Sequence, residues 1–241
     1  MLGYTVSAFL TRGVLVDTGC PGVEPELARW LETTRPRGTM VTHYHEDHAG
    51  NLALLAERGV PVAAAPATLQ ATRQPAPIRL YRRATWGAAR PVAAPVTPFA
   101  DDVLQLVPSP GHSPDHHVVW DPERRELFAG DLFLGVRVRV AHAEEDPEAL
   151  VRSLRAAADL APVVLFDAHR GAVAEPVPLL RAKADWLEET MAEIRGLLRD
   201  GVPETEVRDR VLGPEGWEGL ASRGEYSRLS LVRAVGRAGA R

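Results

Sequence analysis

The chain holds a single cysteine, Cys20, so no disulfide can form within it. Lysine is as scarce: Lys183 is the only one among 28 basic residues, and 32 acidic residues bring the formal net charge to −4. A basic nucleic-acid footprint is therefore missing at the level of the whole chain. No 18-residue uninterrupted apolar run offers a membrane span. Met1-Leu2-Gly3-Tyr4-Thr5 lacks the charged-then-apolar pattern of a secretion signal, so a cytoplasmic protein is expected. What remains is a globular composition: 241 residues, 45% hydrophobic and 25% charged, enough for one generous domain and a substantial core. The 20 prolines and 20 glycines are dispersed, which implies many turns and no low-complexity tract.

Along the chain, β and helical patterns alternate. Residues 4–17 read as two short strands around Thr11-Arg12-Gly13, ending at the turn Asp17-Thr18-Gly19. Glu24 to Thr34 reads as a helix with Leu27, Trp30 and Leu31 on one face, and Gly38 to Thr42 as a buried strand. A helical stretch to Arg58 and a strand at Val60–Ala63 follow, then a helix-containing excursion over 65–98 rich in Ala, Pro and Arg. Val103–Val107, His117–Trp120 and Glu126–Ala129 read as strands, Pro147–Leu160 as a helix, and Val163–Phe166 as a buried strand. From Leu179 an apolar stripe recurs at helical spacing, with Lys183 inside it; further helices are expected at Glu204–Leu212 and Tyr226–Arg237. The expected organisation is a layered α/β domain over 1–178 and a helical extension over 179–241.

Five of the eight histidines sit where a strand gives way to a loop. His43, His45 and His48, with Asp47 among them, follow Met40-Val41-Thr42; His112 follows Val107-Pro108-Ser109-Pro110-Gly111; His169 follows Val163–Phe166. Asp131 follows Leu127-Phe128-Ala129-Gly130. Loop residues carried by rigid strands are where sites concentrate. Imidazole and carboxylate suit zinc, and also iron or manganese. Seven such groups exceed what one ion uses, whereas two ions sharing a carboxylate and a hydroxide accommodate them.

These segments resemble the metallo-β-lactamase-fold hydrolases. Thr42-His43-Tyr44-His45-Glu46-Asp47-His48 is similar to that family's T-H-x-H-x-D-H signature, Pro110-Gly111-His112-Ser113 to its P-G-H-[ST] loop, and Gly130-Asp131 to its G-D. Ala168-His169-Arg170-Gly171 resembles the last histidine loop, and Val16-Asp17-Thr18-Gly19 the early D-T-G turn. The resemblance covers roughly residues 5–175 and implies an αββα sandwich. It implies that His43, His45 and His112 hold one divalent ion, that Asp47, His48 and His169 hold a second, and that Asp131 bridges them. Zinc is the expected metal, with iron or manganese as alternatives.

The family usually carries another strand or hairpin ahead of this point, so the first strand is expected to be an exposed edge. The implied chemistry is attack of a metal-bridging hydroxide on the carbonyl of a small ester, thioester or lactone. Asp47 could pass a proton to the leaving group. A true β-lactamase is disfavoured, because those enzymes generally lack the bridging aspartate present here as Asp131. A metal-dependent nuclease or phosphodiesterase and a mono-iron persulfide dioxygenase stand as alternatives. Tyr81, Arg82 and Trp86, in the 65–98 excursion, are the substrate-side candidates. Asp17 is expected to brace the loops, and Cys20, His116, His117 and His142 to be structural. The expected partner is a small-molecule substrate, with no nucleic acid and no membrane; a homodimer is open.

Overall fold

The structure is a computed structural model that describes residues 5–238, so Tyr4, the start of the first expected strand, lies outside the described residues. Eleven strands and nine α-helices follow one another along these residues. They run β1 (Phe9–Thr11), β2 (Val14–Val16), α1 (Glu24–Thr34), β3 (Gly38–Met40), α2 (Leu52–Glu57), β4 (Val62–Ala63), α3 (Pro66–Arg73) and α4 (Leu80–Trp86). Next come β5 (Gln105–Pro108), β6 (His117–Asp121), β7 (Glu126–Gly130), β8 (Ala141–His142), α5 (Pro147–Asp159), β9 (Val164–Asp167) and β10 (Gly171–Ala174). The chain ends with α6 (Pro176–Arg199), α7 (Glu204–Val211), α8 (Trp217–Ala221), β11 (Tyr226–Ser227) and α9 (Arg228–Ala238).

Two compact units interleave along the chain. The first is Met1–Pro108, Asp115–Asp131 and Pro162–Ala174; the second is Ser109–Pro114, Leu132–Ala161 and Glu175–Arg241. The sequence pattern places one boundary at 178, whereas α5 and the Ser109–Pro114 loop here group with the C-terminal helices.

The first unit holds two sheets. One has the order β1-β2-β3-β4, with an antiparallel β1–β2 hairpin and parallel β2–β3–β4. The other has the order β10-β9-β7-β6-β5, with β7 and β9 parallel. The β1–β2 turn uses positive φ at Arg12 (49°) and Gly13 (75°), the twist that a tight hairpin needs. As expected, β1 is an edge strand among the described residues.

Strand alternation sorts the core. Val14, Val16 and Met40 meet Leu104, Val119 and Phe128 between the sheets, and the rings of Phe9, Phe128 and Phe166 close this layer at 4.8–5.6 Å. Leu15 points the other way, to Leu31 of α1 and to Leu54 and Leu55 of α2. Each fully buried aliphatic side chain here contributes about 1.5–3 kcal/mol. The parallel strands β2 and β3 end at Val16 and Met40 in register, so the loops that follow start side by side. In the same way β7 and β9 deliver the segments after Gly130 and Asp167.

In the second unit, Asp146 caps α5 by accepting from Ala149 N–H at 3.0 Å, with Pro147 in the first turn. The Pro110-Gly111-His112 loop lies against this helix: Ser153 Oγ donates to the Pro110 carbonyl at 2.6 Å and Asp146 N–H to that of Gly111 at 2.8 Å. Gly111 has φ 142°, and a Cβ there would stand 2.4 Å from Leu150 Cα, so no larger residue fits.

Lys183, read from spacing as part of the apolar stripe of α6, is indeed inside, at 2% exposure. Its Nζ donates to the carbonyls of Leu132 (3.1 Å) and Phe133 (2.5 Å), which satisfies two acceptors buried beyond the end of β7. Three features differ from the sequence reading. Gly171–Ala174 is a strand, antiparallel to β9; Tyr226–Ser227 pairs with β8 before the last helix begins; and α8 intervenes at Trp217–Ala221. β10 forms through its hairpin with β9, and Tyr226–Ser227 through pairing with β8 far earlier in the chain, each against weak local preference. No described helix is long and apolar enough to cross a membrane.

Replacing Lys183 by Met keeps the apolar stem and removes both donors. Urea denaturation should show a loss of about 2–4 kcal/mol, from two buried carbonyls left without that donor; stability equal to wild type would mean the ammonium does not hold this turn.

Candidate metal centre

Asp17, immediately after β2, organises the site in the first unit. Its φ of 60° is a left-handed conformation that a non-glycine residue holds only under constraint. Its Oδ1 accepts from Thr42 N–H at 2.7 Å; its Oδ2 accepts from Thr42 Oγ1 at 3.0 Å and from His48 Nδ1 at 2.8 Å. Because the Thr42 hydroxyl is spent as a donor, it accepts from His43 Nδ1 at 3.0 Å. His169 Nδ1 faces the Thr5 carbonyl at 2.7 Å. Each bond fixes a tautomer with hydrogen on Nδ1, which leaves the Nε2 lone pair of His43, His48 and His169 available as a ligand.

The donor atoms converge in two clusters. His43, His45 and Asp131 offer ligand atoms within 4.8 Å of one another, with His43 Nε2 and His45 Nδ1 3.0 Å apart. Asp47, His48 and His169 do the same: Asp47 Oδ2 is 3.8 Å from His48 Nε2 and 3.5 Å from His169 Nε2. Asp131 Oδ1 is 3.2 Å from both His48 Nε2 and His169 Nε2, so this carboxylate faces both clusters. Two donors bound to one first-row ion at about 2.1 Å lie no more than roughly 4.2 Å apart, and the 3.0 to 3.8 Å separations given above fit. His48 Nε2 is also buried with no partner of hydrogen-bond geometry among the described residues, an arrangement that a cation resolves. His112 is carried by the second unit, where it is buried with its Nδ1 3.6 Å from Glu145 Oε1.

The electrostatics point the same way. Burial opposes charge on the His48 ring, yet the carboxylates of Asp131, Asp47 and Asp17 outweigh it, and with no cation present its pKa stands well above the ordinary histidine value. Burial also opposes charge on His169, but contact with Asp131 and the charge of Asp47 push it up to about 9. The carboxylates call for positive charge, as protons or as metal.

Supporting residues complete the picture. His116 Nε2 accepts from Asp131 N–H at 3.1 Å, a supporting role consistent with its sequence reading. Gly130 has φ 50°, and a Cβ there would come within 2.8 Å of that nitrogen and 2.9 Å of Thr42 Oγ1, so glycine must precede Asp131. His117 Nδ1 bonds the Asp115 carbonyl at 2.8 Å, and His142, which belongs to the second unit, is beside Glu144 and Glu225. Burial pushes the Cys20 thiol up, as for a packed side chain.

Of the substrate-side candidates, Tyr81 and Trp86 are half-buried on α4, and the Trp86 ring centroid is 6.2 Å from that of His169. Arg82 is buried and turned onto Glu46, inside the ligand loop. Sequence reasoning alone misses Glu46, Asp115 and Thr68, which support this loop; Glu46 stands within the motif and Asp115 soon after His112, whereas no local pattern marks Thr68.

Residues 6–169 match the metallo-beta-lactamase superfamily. A thioesterase, pkgB of Emericella nidulans, is 30% identical over 175 residues, covering 70% of this chain but 46% of its own length. The chain thus spans about half of that relative. A metallo-beta-lactamase family protein from Thermus thermophilus superposes with a TM-score of 0.63 at 20% identity, over 95% of this chain and 85% of its own. A protein crystallised in a di-iron-bound form superposes at 0.58 with 30% identity, over 73% of this chain and 93% of its own.

Asp17→Asn keeps the size of the side chain but removes the charge that orients His48; metal affinity measured by chelator competition should fall about 10–100-fold. In protein stripped of metal, the raised His169 pKa stabilises the fold fully below about pH 6.5 and ceases to do so as pH rises through about 9. The melting temperature of stripped protein should therefore fall across that interval, and metal-loaded protein should lack this drop.

Proposed function

Because the chain belongs to the metallo-beta-lactamase superfamily, we propose that it is a dinuclear metal-dependent hydrolase of a small ester, thioester or lactone. His43, His45 and His112 would hold one ion, Asp47, His48 and His169 the other, and Asp131 both. Two divalent ions supply Lewis acidity and lower the pKa of bound water to about 7. Zinc is the first choice, and the di-iron relative supports iron as the alternative. The observation that carries this reading is the placement of Asp131 Oδ1 3.2 Å from two ligand nitrogens while the same residue groups with His43 and His45.

The chain's own groups have distinct tasks. Asp17, through Thr42 and His48, orients the imidazoles before substrate arrives, so little reorganisation remains. Asp47, whose Oδ2 is 3.5 Å from His169 Nε2, would also pass a proton to the leaving group. Trp86, beside His169, and Tyr81 would offer an apolar wall to the acyl portion. A thioester is favoured among the substrates by the thioesterase relative. Net charge −4 and a single lysine argue against nucleic acid.

Elemental analysis should give two metal ions per chain, and a chromogenic panel of thioester, ester, lactone, lactam and phosphodiester should show turnover on carbonyl substrates. Asp131→Ala should lower that turnover at least about 100-fold. Activity on the phosphodiester alone, or one iron per chain with dioxygenase activity, would overturn the reading.

A further inference from the structure

Within His43–His48 two residues, Tyr44 and Glu46, take no part in the ligand set, and both are gripped from outside the loop. Glu46, 6% exposed, accepts two hydrogen bonds from Arg82 of α4, Nε to Oε1 at 2.6 Å and Nη2 to Oε2 at 2.5 Å. Tyr44 N–H donates to Asp115 Oδ2 at 3.0 Å, and the same oxygen accepts from Thr68 Oγ1 of α3 at 2.7 Å. Ligand and anchor positions therefore alternate: His43, His45 and Asp47 turn to the metal clusters, and Tyr44 and Glu46 are tied to the helices of the 65–98 excursion.

A buried ion pair is a poor source of stability, because desolvating both charges offsets their attraction. Its place in the loop supplies another reason for it. Glu46 lies between His45, which belongs to one cluster, and Asp47, which belongs to the other. The position of its backbone sets how far apart these two ligands are presented.

We propose that Arg82 is a positioning residue that, through its forked contact with Glu46, fixes the spacing between the two metal sites. The bidentate fork holds Glu46 in both distance and plane, which a lysine at that position would not do. This inference rests on the dinuclear reading above. It also gives the excursion a task besides lining the mouth, since α4 carries both this clamp and Trp86.

The test separates fold from positioning. The double variant Arg82→Met/Glu46→Met replaces the pair by apolar groups of similar length, so with metal removed it should melt at or above the wild-type temperature. It should nevertheless bind zinc about 10–100-fold more weakly at one or both sites by chelator competition, and its cobalt-substituted form should show an altered absorption spectrum. Arg82→Lys keeps the charge and should give a smaller loss of affinity in the same direction. Wild-type affinities and spectra in the double variant overturn the proposal; if that variant does not fold, wild-type values in Arg82→Lys do so. Wild-type protein that takes up fewer than two ions would instead overturn the dinuclear reading, and the positioning role with it.

Discussion

The carboxylate of Asp17 is the joint on which the site depends. It accepts three hydrogen bonds, from the Thr42 amide, the Thr42 hydroxyl and His48 Nδ1. Charge-assisted bonds of this kind contribute about 1.5–3 kcal/mol each where they are buried. Their greater effect is directional. By consuming the Thr42 hydroxyl as a donor, Asp17 also dictates how that hydroxyl meets His43, so one acid sets the tautomers of two candidate ligands. The parallel register of β2 and β3 makes this reach possible, because Asp17 N–H bonds the Met40 carbonyl at 2.9 Å and brings the two strand ends together.

Around that joint the charges are unbalanced without a cation. Asp17, Asp47 and Asp131 all raise the proton affinity of His48, a ring whose burial opposes charge. A site that resolves this with protons alone would hold cationic imidazoles at neutral pH. One that resolves it with dications keeps them neutral and uses the lone pairs that the tautomers expose. The Arg82–Glu46 pair stands outside this balance, since its two charges cancel each other next to the ligands.

The share of fold and site legible in the sequence follows from interaction range. Helix α1 spans Glu24–Thr34 as its Leu27, Trp30 and Leu31 stripe implies, and α5 starts at Pro147 where a first-turn proline permits it. These signals are local. Strand β10, Gly171–Ala174, carries little intrinsic β preference and exists through its hairpin with the adjacent β9, whereas Tyr226–Ser227 is extended by pairing with β8, far earlier in the chain. The interleaving of the two units also arises from contacts between segments far apart in the chain.

The amino-acid order alone determined which imidazoles and carboxylates stand at strand ends, and the family they resemble, because a ligand motif is a short-range pattern of residue types. It also placed Lys183 on the inner stripe of its helix. Only the tertiary structure decided that this lysine serves the Leu132 and Phe133 carbonyls and that Arg82 turns inward onto Glu46, and it set the 3.2 Å at which Asp131, the bridge that the family resemblance implies, faces His169. Each of these outcomes depends on the direction of a side chain relative to residues 36 to 51 or more positions away, or on a loop from another strand. Sequence periodicity encodes burial, whereas the partner met inside is set by how strands and helices are brought together.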